Sequence, residues 1–408
     1  MPPHPDGVLA LGRPTRGGLP CRVPSTPAAR RALVAVAFTA VAALGLAGGT
    51  VLARRSADAP AVAAPPDPAP TAASPAPPGS TPTPPGSTPT QPGAGVPVRL
   101  AFAGDVHFAG TSAAALTSGL GTGAQPLRTA DLAVVNLETA VTGGGDPAPG
   151  KEFVFAAPPS SLTVLRDAGV DAVSLANNHG MDHGLSGLRD SLAASTSARL
   201  PLLGAGADSA AAWAPLRRTV RGVRVSVIAA TDVLDDDLRD LWTAGPAKPG
   251  LASAKDGTAF ADALRAERPQ TDVLVAFLHW GVEKQSCPST RQRELARALV
   301  DAGADVVVGS HAHVLQPVTS LRAPGPGGER SAVVAYGLGN FVFYGTTEAA
   351  TRTGVLTVTA TAVPGGGPGA PRTVEPAWTG ARIVSGRPRA VPPARQAAVQ
   401  PPPIESCG

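Results

Sequence analysis

Six short apolar runs recur through the middle of the chain: VRLAFAGD, DLAVVNLE, DAVSLANNH, VRVSVIAA, DVLVAFLHWG and DVVVGSHAH. Each ends on polar or small residues. Runs that stay apolar without alternating predict strands covered on both faces. Between several of them the apolar positions fall at helical spacing, as over Ser160–Ala168 and Thr290–Ala302. Strands alternating with helices predict the α/β class. Towards the end the pattern changes: Ser331–Phe343, Gly354–Ala362 and Thr373–Val384 are strand-like and have no helical segment between them. They predict an antiparallel portion, and so mixed sheets, with Gly339-Asn340 as a turn.

The flanks follow a different pattern. Ala32–Ala53 has no charged residue over 22 positions, enough to cross the ~30 Å of hydrocarbon in a bilayer. Arg30 and Arg31 precede it, with Arg13, Arg16 and Arg22 upstream. The heavier basic side stays in the cytoplasm, which places the rest of the chain outside. A cleaved signal peptide, and hence a secreted protein, is the rival reading, although its apolar stretch is usually shorter, ~7–15 residues. Residues 54–96 are rich in Pro, Thr, Ser and Gly, with PPGSTPT twice in tandem. Such a segment predicts a disordered, extended spacer. The organisation read from the sequence is a basic cytoplasmic segment (1–31), a transmembrane or signal anchor (32–53), a linker (54–96), a globular domain (97–385) and a Pro-rich tail (386–408).

Charge divides along the same boundary. Residues 1–55 carry seven Arg and one Asp, a balance of +6, so the remainder of a chain whose net charge is +4 carries −2. The basic character belongs to the anchor region and gives no support for nucleic-acid binding. Aromatic residues make up only 4% of the chain, so the core must be built from Val, Leu and Ala. Of three cysteines, Cys287 and Cys407 fall on the outer side, where disulfides persist, and are candidates to pair.

The polar residues that end the runs carry the chemistry. Asp105 and His107 follow the first run, and Asn136 and Glu138 the second. Asn177, Asn178 and His179 follow the third, with Asp182 and His183 beyond. His279, Trp280 and Glu283 follow the fifth; His311 and His313 follow the sixth. Six of the seven histidines lie in these positions, and ligands of α/β sheets bind beyond the carboxyl ends of strands. Alternate residues of an extended chain share a face, so His311 and His313 are expected to aim two imidazoles into one space. A set of oxygen and nitrogen donors without cysteine suits Zn, Mn, Fe or Ni, as one or two divalent ions able to activate water, with a non-ligand histidine as proton donor. Singly, each residue has an ordinary explanation. Asp105 could cap a helix, and Asn136 and Asn178 could bond loop backbone. Trp280 reads as core, Asp235-Asp236-Asp237 as a solvated loop, and His183 as either a support for the site or a surface residue. Jointly these explanations are poor, because every strand end would need its own. A phosphate-binding loop of the G-x-x-x-x-G-K-[ST] kind and a G-x-S-x-G serine elbow are both absent.

GDVH, NLET, ANNHGMDHG, HWGVE, GSHAHVLQP and YGLGNFVF, in this order over roughly residues 97–345, resemble the CapA family of poly-γ-glutamate capsule biosynthesis proteins. That family is similar to the calcineurin-like metallophosphoesterases. The resemblance implies a layered α/β sandwich of metallophosphoesterase type with mixed sheets. It implies Asp105 and His107 as an opening D-x-H metal pair, Asn178 as a ligand beside a catalytic His179, His279 as a middle ligand, and His311 and His313 as a closing H-x-H pair. Where the phosphoesterases supply a bridging Asp, this chain offers Asn136 and Glu138; either Glu138 bridges two ions and joins in catalysis, or one ion binds. The implied partners are an anionic capsule or envelope polymer and membrane polymer-synthesis subunits. Three functional readings follow: a membrane-anchored metal-dependent hydrolase (Zn, Mn or Fe) acting on that polymer, a non-catalytic accessory of an export complex, or a metal-dependent phosphoesterase.

Overall fold

The computed structural model describes residues 95–256, 258–325 and 328–408. The expected anchor and almost all of the spacer lie outside the described residues. Among the described residues no helix is long and apolar enough to cross a membrane.

Along the chain come strands β1 (Val96–Val106) and β2 (Leu132–Leu137), helix α1 (Ser160–Asp167), strand β3 (Ala172–Ser174), helix α2 (Gly184–Ala198) and strands β4 (Leu202–Leu203), β5 (Leu216–Val220) and β6 (Val223–Thr231). Then follow α3 (Ala259–Glu267), β7 (Val273–Trp280), α4 (Thr290–Asp301), β8 (Val306–His311), β9 (Val318–Gly325), β10 (Gly328–Ala335), β11 (Asn340–Val342), β12 (Arg352–Ala362), β13 (Arg372–Val384) and β14 (Arg387–Ala390). Two large mixed sheets result among the described residues, beside two small two-stranded ones. One has the order β14-β13-β12-β1-β2-β3-β4, with β11 also pairing β1; the other has the order β9-β10-β8-β7-β6-β5. The strands from β1 to β4 are mutually parallel, whereas β12 to β14 add to β1 in antiparallel fashion.

The unalternating strands are explained by three apolar layers. Leu100 and Phe102 of β1 pack inwards against Val275 and Phe277 of β7, between the sheets. Ala101 and Ala103 face outwards to Leu162, Leu165 and Leu188 of α1 and α2. Leu274, Ala276 and Leu278 meet Phe260, Leu264, Leu295 and Leu299 of α3 and α4 on the other outer face. Both faces of β7, and of β1 from Leu100 onwards, are buried because the order is helix, sheet, sheet, helix. Helix α4 starts at a capping box, in which Ser289 accepts from Gln292 N–H and the Gln292 side chain accepts in return from Ser289 N–H. Such reciprocal bonds satisfy donors that a helix start leaves free.

Two apolar runs behave differently from the expectation. Only Ala172–Ser174 of DAVSLANNH is strand, and its Asn and His residues lie in the turns that follow. Ser331–Phe343 is split between the sheets: β10 pairs β8, and β11 pairs β1. The crossing is fixed by backbone bonds from Leu338 N–H to Gly309 O and from Asp105 N–H to Gly339 O, both 2.9 Å. Gly104 permits the second approach, since a Cβ there would stand 1.8 Å from Gly339 O.

The C-terminal segment is fastened to the domain. β14 extends the first sheet, Val399 is buried, and Trp378 Nε1–H donates to Val399 O at 2.8 Å. Cys407 is disulfide-bonded to Cys287, 120 positions earlier. Closing so long a loop restricts the unfolded chain, and removal of a native disulfide costs about 2–5 kcal/mol. Replacing both cysteines by Ser is therefore expected to lower the unfolding free energy by about that amount. Denaturant titrations of wild-type and variant protein check it; coincident midpoints would contradict the fastening role.

Candidate metal centre

The carboxyl ends of the two sheets meet. Asp105 on β1 stands beside Asn136 on β2, and on the other sheet His279 of β7 stands beside Ser310 of β8, with Trp280 beside His311. Asn136 joins the pair of sheets. Its Nδ2 donates to Asp105 Oδ1 at 2.9 Å and lies 3.1 Å from His279 Nδ1. Its Oδ1 accepts from Asn177 Nδ2 at 3.1 Å. The His311 backbone N–H points at the Asp105 carboxylate, 3.3 and 3.4 Å from its two oxygens.

His311 and His313 do converge, with ring centroids 5.9 Å apart, but not by strand alternation. β8 ends at His311, and His311 and His313 have φ of +96° and +56°. Such backbone costs on the order of 1–3 kcal/mol per residue and persists only where surroundings enforce it. Asn340 helps to enforce it. Its Oδ1 lies 2.9 Å from His313 Nδ1, and its Nδ2 donates to His313 O at 3.1 Å.

Among the described residues three groups offer ligand atoms that lie within 4.8 Å of one another: Glu138, His279 and His311; Asp105, Glu138 and His313; and Glu283, His311 and His313. Asn178 reaches the first, with Oδ1 2.8 Å from His279 Nε2. His107 belongs to none of them. Its Nδ1 accepts from Ala109 N–H at 3.1 Å, and its ring is packed among Phe155, Phe343 and Tyr344. In this structure Asn136 is a connector between sheets, with both ends of its amide engaged.

Burial sets the electrostatics. Loss of solvation, with some help from the neighbouring His313, lowers His107 and His311 to about 3. The same loss holds His279 well below the ordinary imidazole range. These rings are thus neutral, the state in which imidazole binds a metal. Burial, reinforced by the charge of Asp105, raises Glu138 well above the usual carboxyl range. At His313 burial acts downwards, but the Glu138 and Asp105 carboxylates outweigh it and the ring is pushed up to about 10. Both oxygens of Glu138, His311 Nδ1 and His107 Nε2 are buried without a hydrogen-bond partner. A buried carboxylate left so is costly, and a divalent cation among these donors would satisfy it.

His179 is turned by a separate network. Its Nδ1 lies 2.7 Å from Asp182 Oδ2, and Asp182 also accepts from Lys151 Nζ at 2.6 Å and from Phe155 N–H at 2.7 Å. Lys151 donates further to Asn178 O. Burial lowers His179 against the pull of Asp182. The sequence placed Asp182 among the strand-end residues, three positions after His179, but nothing in it marks Lys151, and Asn340 read as a turn. Trp280 is core, donating Nε1–H to Tyr336 O at 2.7 Å. Asp235, Asp236 and Asp237 are exposed, and among the described residues the His183 side chain bonds Gly145 O, at 3.0 Å.

The chain is similar to the PGA biosynthesis protein CapA of Bacillus subtilis, 34% identical over 194 residues, which are 47% of this chain and 48% of that protein. It is similar also to the capsule biosynthesis protein CapA of Bacillus anthracis, 33% identical over 196 residues, 47% of this chain and 45% of the relative. The aligned region thus spans about half the length of each relative. Among solved structures, a phosphatase of Mycoplasma pneumoniae aligns over 70% of this chain and 94% of its own at 14% identity and a TM-score of 0.37, too remote to bear on the chemistry. The family described as Bacterial capsule synthesis protein PGA_cap matches residues 99–345. Every group of the centre, from Asp105 to Asn340, falls inside that match, and the chain belongs to this family.

Proposed function

We propose that this protein is held at the outer face of the cell membrane and acts on an anionic envelope polymer of the poly-γ-glutamate type, through a divalent-metal centre of hydrolase-like chemistry. The observation that carries the reading is the Glu138 carboxylate, buried among imidazoles with neither oxygen hydrogen-bonded. The names of the relatives support the polymer. The uncharged stretch Ala32–Ala53 and the Cys287–Cys407 disulfide, a bond of oxidising compartments, support the location.

Glu138, His279 and His311, with the Asn178 amide oxygen, would hold a cation on the inner side; Asp105 and His313 complete the cage. Such an ion, which the donors suit as Zn, Mn or Fe, supplies Lewis acidity and a water acidic enough to ionise near neutral pH. The protein's own contribution is orientation. Asp182, fixed by Lys151, holds His179 by Nδ1 and leaves Nε2 as the atom that carries a proton to or from a departing group. Phe155, Phe343 and Tyr344 wall the His107 side with apolar rings. The scissile bond would be an amide or a phosphate ester of the polymer.

Two outcomes are expected. The purified protein should retain divalent metal through gel filtration, measured by elemental analysis. Glu138→Gln or His279→Ala should weaken that binding by more than about tenfold, the lower end of what even supporting residues of metal sites cost, while circular dichroism stays unchanged. Metal-free protein that cannot be loaded would defeat the proposal. The second outcome concerns pH. His313 is held as imidazolium up to about 10, yet a ligand imidazole must be neutral. Below that pH, loading the site expels this proton, together with any held by the raised Glu138 carboxyl, so affinity should rise with pH by about tenfold per unit for each proton released. Titration calorimetry at pH 7 in buffers of different ionisation heat reads the proton directly, and zero release would contradict the charge state of His313.

A further inference from the structure

We infer that a groove along β14, lined by Arg128, Arg387 and Arg389, is a binding site for a polycarboxylate chain, separate from the metal centre. This rests on the polymer named in the proposal above and adds to it a place where that polymer is held.

The groove encloses about 490 Å³ between residues 118–125 and β14. Its charged side chains are Arg128, Arg387 and Arg389, and among the described residues neither Asp nor Glu lines it. That runs against the balance of the chain, which carries −2 beyond residue 55. The adjoining carboxylate, Asp167 beside Ala168, stands 3.0 Å from the Arg166 guanidinium. Arg128 and Arg389 are exposed, and among the described residues neither has an ion pair or a side-chain hydrogen bond. Arg387 Nη1 donates to Ser118 O and Gly119 O at 3.1 and 3.3 Å, which sets its guanidinium against the groove wall. Its Nε is buried without a partner. Guanidinium groups gathered with no carboxylate among them attract an anion.

The rest of the lining selects the kind of anion. Leu120, Ala124 and Ala168 share the groove with the arginines, so apolar surface stands beside the cations. A γ-linked glutamate chain matches both. Methylene groups lie in its backbone, and each residue carries a free carboxylate, which a guanidinium holds through two parallel bonds. A phosphate polymer would match only the charge.

Both walls are fixed. Ala390 N–H donates to Thr122 Oγ1 at 3.1 Å, and Gly121, at φ +107°, sits where a Cβ would stand 2.4 Å from Pro388 O. The stem of Arg128 lies against Gly169, where a Cβ would stand 3.0 Å from Arg128 Cγ. The groove also adjoins the metal centre. Arg387 follows Gly386, and a Cβ on Gly386 would stand 2.4 Å from Ser112 N. Ser112 Oγ in turn lies 3.0 Å from His107 Nδ1. The arginines are thus on the His107 side of the centre, where a long polymer can lie across both.

The test is titration calorimetry of γ-linked oligoglutamate into the purified full-length protein, stripped of metal with chelator so that no bound cation holds the carboxylates. Wild type is expected to bind, more weakly as salt is raised. Arg128→Gln combined with Arg389→Gln should weaken binding by about tenfold, the loss expected of two exposed guanidinium–carboxylate contacts, while metal loading of the same variant is unchanged. Arg189→Gln combined with Arg218→Gln removes the same charge from α2 and β5 and should leave binding as it was. Full affinity in the groove variant would overturn the inference, and so would an equal loss in the control pair; both leave the polymer reading standing. Polyphosphate held more tightly than oligoglutamate by the same arginines would overturn the choice of occupant. A wild type that binds no oligoglutamate would end the polymer reading, and this inference with it, without touching the metal centre.

Discussion

The Asn136 amide is the point on which the site depends. It donates to Asp105 on its own sheet, lies 3.1 Å from His279 on the facing sheet, and is itself held by Asn177. Two sheets packed face to face through Leu100, Phe102, Val275 and Phe277 could slide by a residue with little change in apolar contact. Buried hydrogen bonds of fixed direction do not allow that, because each lost bond leaves a desolvated polar group behind. The polar contacts at the strand ends thus set the register between the sheets, and with it the distances between donors.

The same burial that makes the region rigid makes it reactive. Removing solvent leaves His107, His279 and His311 neutral and raises Glu138, while the two carboxylates keep His313 charged. An interior of low polarity cannot leave such a set uncompensated without cost. The positive φ values of His311 and His313 add strain at the same spot. Polar atoms without partners and left-handed histidines are poor economy for a structural core, and they collect where the sheets' carboxyl ends meet.

The C-terminal segment bears on the site as well. Cys287 lies four residues beyond Glu283, and its bond to Cys407 ties the end of the chain to the turn that carries that glutamate. Gln316 Nε2 reaches the carbonyls of Gln285 and Cys287 from the opposite side, at 2.9 and 3.3 Å. The tail and the turn that follows β7 are therefore coupled through one short stretch of chain.

The sequence by itself determined the α/β class, the covered strands and the strand ends on which the chemistry collects, because continuous apolar runs and helical spacing are local signals that each segment carries alone; the layered arrangement came only with the family resemblance. It located Asp105, Glu138, His279, His311 and His313, since a polar residue directly after a buried strand is conspicuous. The tertiary structure decided what those residues do to one another. The split of Ser331–Phe343 between sheets, which turns Asn340 from a turn residue into a support for His313, follows from bonds to Gly309 and Asp105 that no local pattern encodes. Lys151, which fixes Asp182, and the pairing of Cys287 with Cys407 depend likewise on partners far away in the chain. Strand periodicity fixes which residues face a core, but a ligand cage needs distances between segments as much as 206 positions apart, and those come only from packing.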